Sequence, residues 1–271
     1  MKIIMVFDVV EEINMLCSEI VSILDKQSPQ EYALDWDNVG LLVGRKNKEV
    51  KKLLLVVDAT REVCEYAVEN GFDMIVSHHP MIFKSVKKIN DGSVLGEKIL
   101  SLAEAGVCYY AMHTNFDTKG GMGKEAAKIL GLKNMEVLEE TLNGEGIGEV
   151  GIADKVYSLY EYAKLVKEKF DLNNVIIYGN MDAKIEKIAI CPGSGKSVIG
   201  EAISKNADCL ITGDIGHHDG IDAVEAGLTI IDASHYGIEK IFMTYMYNYL
   251  KDFLTDVDME ILDVGVPFEV V

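Results

Sequence analysis

The stretch KLLLVVDATREVCEYAVENGFDMIVSHH, residues 52–79, decides the fold. Lys52 to Val57 is a short apolar run closed by Asp58, and it reads as a buried strand. Thr60 is placed to cap a helix that stops at Asn70-Gly71. Asp73 to Val76 is a second apolar run. A strand, a helix and a strand in sequence imply a crossover, hence a parallel sheet covered on both faces. Further on, Val94 to Ala105 carries Leu95, Ile99, Leu102 and Ala103 at helical spacing, with Gly106 just past the end. Val107 to Met112 reads as a third strand. Strand and helix alternate again from about Val150. The fold class is therefore α/β.

The same pattern returns in the second half. Ile188-Ala-Ile-Cys191 is followed by Ala207-Asp-Cys-Leu-Ile-Thr212 and then His217-His218. Each copy runs strand, turn, helix, an Asp after a small or aromatic residue, strand, hydroxyl residue and a His pair. After each pair a helix ends in Ala-Gly (Ala105-Gly106, Ala226-Gly227), and a strand follows with a histidine near its end (His113, His235). A length of 271 residues also gives about two domains. The expectation is two related α/β lobes, residues 1–140 and 141–271. The polar stretch Glu139 to Gly148 is the expected join, and the C-terminal segment is free to pack back on the first lobe.

The 44 acidic against 26 basic residues give a net charge of −18. Such a surface repels phosphate backbones and anionic lipid, which disfavours nucleic acid and membranes as partners. The five cysteines show no CxxC spacing and fit buried thiols in a reducing, cytoplasmic setting. Cys191, beside Pro192, is the one weighed as a nucleophile, against the rarity of reactive thiols. The apolar start Ile3 to Phe7 is broken by Asp8 and lacks a leader's cleavage site. No run reaches the ~18 apolar residues of a membrane span.

All six histidines follow predicted strands: His78-His79, His113, His217-His218 and His235. Strand carboxyl ends are where open α/β sheets bind ligands. Asp117 lies four residues after His113, and Glu239 four after His235, a spacing that puts both groups on one helical face. Consecutive side chains on an extended segment point apart, so His78 and His79 suit two ions rather than one, and Pro80 favours that extended backbone. The pattern points to a dinuclear centre with a bridging carboxylate, suited to Zn, Fe, Mn or Co. Such a centre acidifies water and serves hydrolysis.

Two look-alikes are set aside. Gly146-Ile-Gly148-Glu-Val-Gly151 matches GxGxxG but leads into a strand, not a helix. Gly193-Ser-Gly195-Lys196-Ser197 resembles the end of a P-loop but lacks its first glycine; it reads as a plain turn or, less readily, as one whose exposed amides hold an anion. The segment Asp35-Trp36-Asp37-Asn38 is either an Asx-stabilised turn or a pocket wall for a planar heterocycle.

As a set, Trp36-Asp-Asn-Val-Gly-Leu41, Ser77-His-His-Pro80, His113-Thr-Asn-Phe-Asp117, Thr212-Gly-Asp-Ile-Gly-His-His218 and His235-Tyr-Gly-Ile-Glu239 resemble the Nif-three-like family, whose members are often labelled GTP cyclohydrolase I type 2 homologues. The resemblance spans essentially the whole chain. It implies a dinuclear metal site between the two lobes, with two divalent ions per subunit held by His78, His79, Asp117, His235 and Glu239, and Glu239 bridging. It implies that His113, His217 and His218 face substrate or orient ligands and transfer protons. It also implies a homohexamer, a small-molecule substrate and, by the family label, a metal-dependent hydrolase that opens a guanine ring. Lys84, Lys87 and Lys88 are the cations nearest these motifs for a triphosphate. The alternative is a non-enzymatic hexameric scaffold for metal handling or partner binding.

Overall fold

Leu53, Leu55 and Val57 face one core, while Leu54 and Val56 face another. Side chains alternate along a strand, so a continuous apolar run means a sheet covered on both sides. The computed structural model describes residues 15–270. Residues 3–7, read above for a leader, lie outside them. In chain order the elements are α1 (Cys17–Gln27), β1 (Gly40–Val43), β2 (Lys52–Val56), α2 (Arg61–Glu69), β3 (Met74–Ser77), α3 (Val94–Ala105), β4 (Cys108–Ala111), α4 (Met122–Ile129), β5 (Lys133–Leu142) and β6 (Glu145–Ser158). They continue with α5 (Leu159–Lys169), β7 (Ile176–Tyr178), β8 (Lys184–Ser194), α6 (Ile199–Ser204), β9 (Cys209–Gly213), α7 (His217–Glu225), β10 (Thr229–Asp232), α8 (His235–Glu239), α9 (Ile241–Leu250) and β11 (Asp258–Ile261).

The first sheet has the order β1-β4-β3-β2-β11. Its strands β4, β3, β2 and β11 are parallel, as the crossovers α2 and α3 require. Thr60 caps α2 through its hydroxyl, and Gly106 closes α3 in the left-handed region at φ 70°. One face of the sheet packs on α1 and α9 through Ile20, Leu24, Phe242 and Met246; the other packs on α2 and α3 through Val63, Ala67 and Leu102. Each fully buried Leu or Phe contributes roughly 1.5–3 kcal/mol.

The second sheet runs β5-β6-β8-β9-β10-β7. Only β8, β9 and β10 are parallel; β5, β6 and β7 are antiparallel additions, and so is β1 in the first sheet. The strands joined by helical crossovers are thus parallel, and antiparallel strands extend both sheets. The expected join Glu139 to Gly148 is instead the tip of the β5–β6 hairpin. Asn143 and Gly144 form its turn at φ 54° and 77°, the conformation a two-residue hairpin loop demands. β5 already belongs to the second sheet, so residue 140 falls inside a strand. β11 returns to the first sheet beside β2.

The internal repeat has a hydrogen-bond signature. Asp73 Oδ2 accepts the backbone N–H groups of Lys51 and Lys52 at 2.9 and 3.1 Å. Asp208 Oδ2 accepts those of Glu186 and Lys187 at 2.9 and 2.8 Å. In each lobe the Asp before the second strand pins the start of the first. All five cysteines are buried and unpaired, and burial pushes the Cys191 thiol up, away from a nucleophilic thiolate. Among the described residues, no helix is long and apolar enough to cross a membrane.

Candidate metal centre

Two strand ends, a single turn and one short helix build the site. His78 and His79 follow β3. His113 follows β4, and the single turn Phe116–Gly120 then presents Asp117. His235 and Glu239 open and close α8, four residues apart on one face. The start of α8 is held tightly. Ser234 caps it at φ 61°, accepting the N–H of Gly237, and Asp232 accepts the N–H groups of Ser234 and Ile215 at 2.9 and 3.0 Å.

Four imidazoles share one arrangement. Each places Nδ1 on an oxygen: His78 on Met112 O at 2.7 Å, His79 on Asp58 at 2.8 Å, His113 on Asp37 at 2.9 Å and His235 on Asp214 at 2.8 Å. A donating Nδ1 leaves Nε2 as the inward ligand atom, which is how ligating histidines are oriented. His79 Nε2, His235 Nε2 and Glu239 Oε2 form a triangle with sides of 3.0, 3.2 and 3.2 Å. Donors 2.0–2.1 Å from one tetrahedral zinc ion would stand about 3.3 Å apart. The other carboxylate oxygen, Glu239 Oε1, lies 3.5 Å from His78 Nε2, which is itself 3.7 Å from Asp117 Oδ1. The ligand atoms of His78, His79 and His113 also lie within 4.8 Å of one another.

The residues fit a cation. His78 Nε2 and Glu239 Oε2 are buried without a hydrogen-bond partner. Orphaned polar atoms of this kind are costly unless something binds them. The titration behaviour agrees. Burial lowers the pKa of His79, but Asp58 and Glu239 outweigh it and push it up to about 10. Burial likewise opposes His235, which Glu239 and Asp214 push up to about 9. Burial pushes the Glu239 carboxyl up, yet the charge of His78 and the imidazoles of His235 and His79 hold it well below the usual range. Burial holds the Asp117 carboxyl above its usual range. The cluster demands positive charge, and two N–H groups cannot point at each other across the 3.2 Å between His79 and His235. A divalent cation meets that demand directly.

Backbone proximity completes one wall. Gly193 sits at φ 75°, and a Cβ there would stand 2.4 Å from Glu239 Oε1. The turn read as a failed P-loop therefore lies against the shared carboxylate. The GxGxxG match lies within β6. Trp36 and Phe83 are exposed, 5.5 Å apart, and form a three-ring corner with His113 at 5.9 and 6.2 Å. Asp37 beside Trp36 is held at about 2: burial raises it, but the hydrogen bond and charge of His113 and the bonds from Thr114 win.

His78, His79, Asp117, His235, Glu239 and His113 are thus brought together. His217 and His218 are not. They are exposed at the start of α7 and meet each other edge to face, with ring centroids 5.1 Å apart. Sequence reasoning missed Asp58, Asp214 and the orienting role of Asp37. Asp58 and Asp214 directly follow strand ends, which was the available signal.

A cavity of about 760 Å³ opens on His79 and His235 and is walled by Arg61, Tyr236 and the 264–268 segment. A cavity of similar volume, about 740 Å³, lies between α4 and α9 and touches none of the cluster.

Comparison with known proteins agrees with the motifs. The model of the DUF34/NIF3 (NGG1p interacting factor 3) family matches residues 15–265. A Clostridium perfringens protein named GTP cyclohydrolase 1 type 2 homolog is 34% identical over 251 residues, covering 92% of this chain and 95% of its own. A Lactococcus lactis protein of the same name is 36% identical over 243 residues, covering 88% and 93%. Among solved structures, a Bacillus cereus protein related to NIF3 superposes with a TM-score of 0.89 over 95% of this chain and 99% of its own, at 24% identity. Reduced HcgD from Methanocaldococcus jannaschii superposes with a TM-score of 0.79 at 30% identity, covering 93% and 99%. The chain belongs to the DUF34/NIF3 family.

Proposed function

We propose that this protein is a metal-dependent hydrolase holding two divalent ions, with His78 and Asp117 on one, His79 and His235 on the other, and Glu239 shared between them. The observation that carries the reading is the convergence of three Nε2 atoms on the two oxygens of one buried carboxylate. When bound, such ions supply Lewis acidity and lower the pKa of the water they hold. Zn, Fe, Mn and Co all suit the donor set.

The chain's own residues do the rest. Asp58, Asp214 and the Met112 carbonyl fix the ring orientations of His79, His235 and His78. His113, oriented by Asp37, is the group placed to move a proton on a substrate atom beside the centre. Trp36 and Phe83 offer an apolar face to a planar ring. The name shared by the relatives points to a guanine nucleotide, opened by water with release of formate. Lys84, Lys87 and Lys88, exposed after the His pair, serve its phosphates. A cytoplasmic homohexamer belongs to the same reading.

The test is formate release from GTP by protein loaded with each of the four metals. Release that needs metal and disappears in Glu239→Gln supports the reading. Fully loaded protein that releases none, from GTP or from a panel of other heterocycles, contradicts it and favours a metal-handling scaffold.

A further inference from the structure

Asp117 faces two ways. Its Oδ1 lies 3.7 Å from His78 Nε2, and the residue also lines a separate chamber of about 210 Å³. No residue of the large cavity on the His79 side lines this chamber. The chamber lies between α4 and β6, which meet backbone to backbone: a Cβ on Gly123 would stand 2.8 Å from the Gly148 Cα. Few side chains therefore enter it, and those that do are informative.

Thr118 lines the chamber, is 3% exposed, and its hydroxyl has no hydrogen-bond partner. Glu149 lines it too, is 8% exposed and makes no ion pair among the described residues. Glu145 is neutralised by Lys119. Lys124 is exposed at the rim. Asp117 and Glu149 make no ion pair with a lysine or arginine among the described residues, and the Thr118 hydroxyl has no hydrogen-bond partner. Three carboxylates against Lys119 and Lys124 leave the lining net negative. A divalent ion with six waters needs roughly 180 Å³ at about 30 Å³ per water, which the chamber can supply.

We propose that this chamber is an entry site for a hydrated divalent cation, held through its water shell by Glu149 and Thr118 and passed to Asp117. The proposal rests on the metal-binding reading above. It gives the centre two doors, one for metal and one for substrate.

The test is the rate at which metal-free protein takes up Co²⁺, followed by stopped-flow absorption. Glu149→Gln should slow uptake and release about tenfold each, because a carboxylate in a narrow site focuses the field on an arriving cation. The number of ions bound at saturation should not change. Thr118→Val should slow uptake by a smaller factor. Glu62→Gln, which removes a charge at the other cavity, should leave the rate unchanged. Wild-type uptake in Glu149→Gln, or equal slowing in Glu62→Gln, overturns the proposal. Should Glu149→Gln not fold, wild-type uptake in Thr118→Val overturns it. A wild-type protein that binds no Co²⁺ at all would instead defeat the metal-binding reading itself.

Discussion

Phe72-Asp73 and Ala207-Asp208 behave alike in the two lobes, while the histidine pairs that follow them do not. Each Asp ties down two N–H groups at the start of the neighbouring strand, with nearly equal distances. The first His pair directly follows β3 and turns both imidazoles toward Glu239. The second, His217-His218, opens α7 and faces solvent. The positions that correspond in placement are His113 and His235, each after its lobe's third strand and each held by an Asp from another loop. A repeated scaffold thus carries unequal chemistry, and the backbone after the strand decides which histidines reach the cluster around Glu239.

The sharpest way to break this comparison is to remove the acids that hold the rings. Asp58→Asn and Asp214→Asn should each weaken metal binding 10–100-fold, the usual effect of losing a ligand's orienting partner. His217→Ala and His218→Ala should change it less than about twofold. Calorimetric titration of the metal-free proteins checks both. Equal losses in the two groups would erase the distinction drawn between the lobes.

Gly193→Ala comes next. The new methyl would collide with Glu239 Oε1, at a φ that an alanine adopts only under strain. A stability loss of about 1–3 kcal/mol, with weaker metal binding, is expected by chemical denaturation and titration. A variant of unchanged stability and affinity would show that the loop has room to retreat.

The smallest effect concerns the outer histidine. Asp37 is depressed from 3.8 to about 2 in the folded protein, so it stabilises the fold where it is ionised. That contribution, about 2 kcal/mol, is present above the unfolded value and is lost as the pH falls through about 2. Asp37→Asn should therefore be less stable than the parent at neutral pH, with the gap closing in acid. A gap that persists undiminished at pH 2 would contradict the pairing with His113.

Much of this was legible in the chain. Residues 52–79 gave a strand, a capped helix and a strand because apolar runs, Thr60 and Asn70-Gly71 are local signals, and local signals agreed with the final packing. The six histidines stood out because imidazoles rarely cluster after strands, and the resemblance of the motifs singled out the five ligand candidates among them and the nearby carboxylates. Other features depend on long-range pairing. β1, β7 and β11 are short edge strands with little signal of their own. Asn143-Gly144 was a hairpin signal lost inside a polar stretch that also reads as a linker. Asp58 and Asp214 look like ordinary turn acids until folding brings imidazoles to them. Gly193 reads as a loop glycine, because nothing local shows that Glu239, distant in sequence, will press against it.

The most direct measurement is anomalous diffraction from crystals grown with Mn²⁺ or Zn²⁺. The account predicts two anomalous peaks per chain, one against His78 and Asp117 and one against His79 and His235, with a Glu239 oxygen on each. A single peak, or peaks that leave Glu239 untouched, would contradict it.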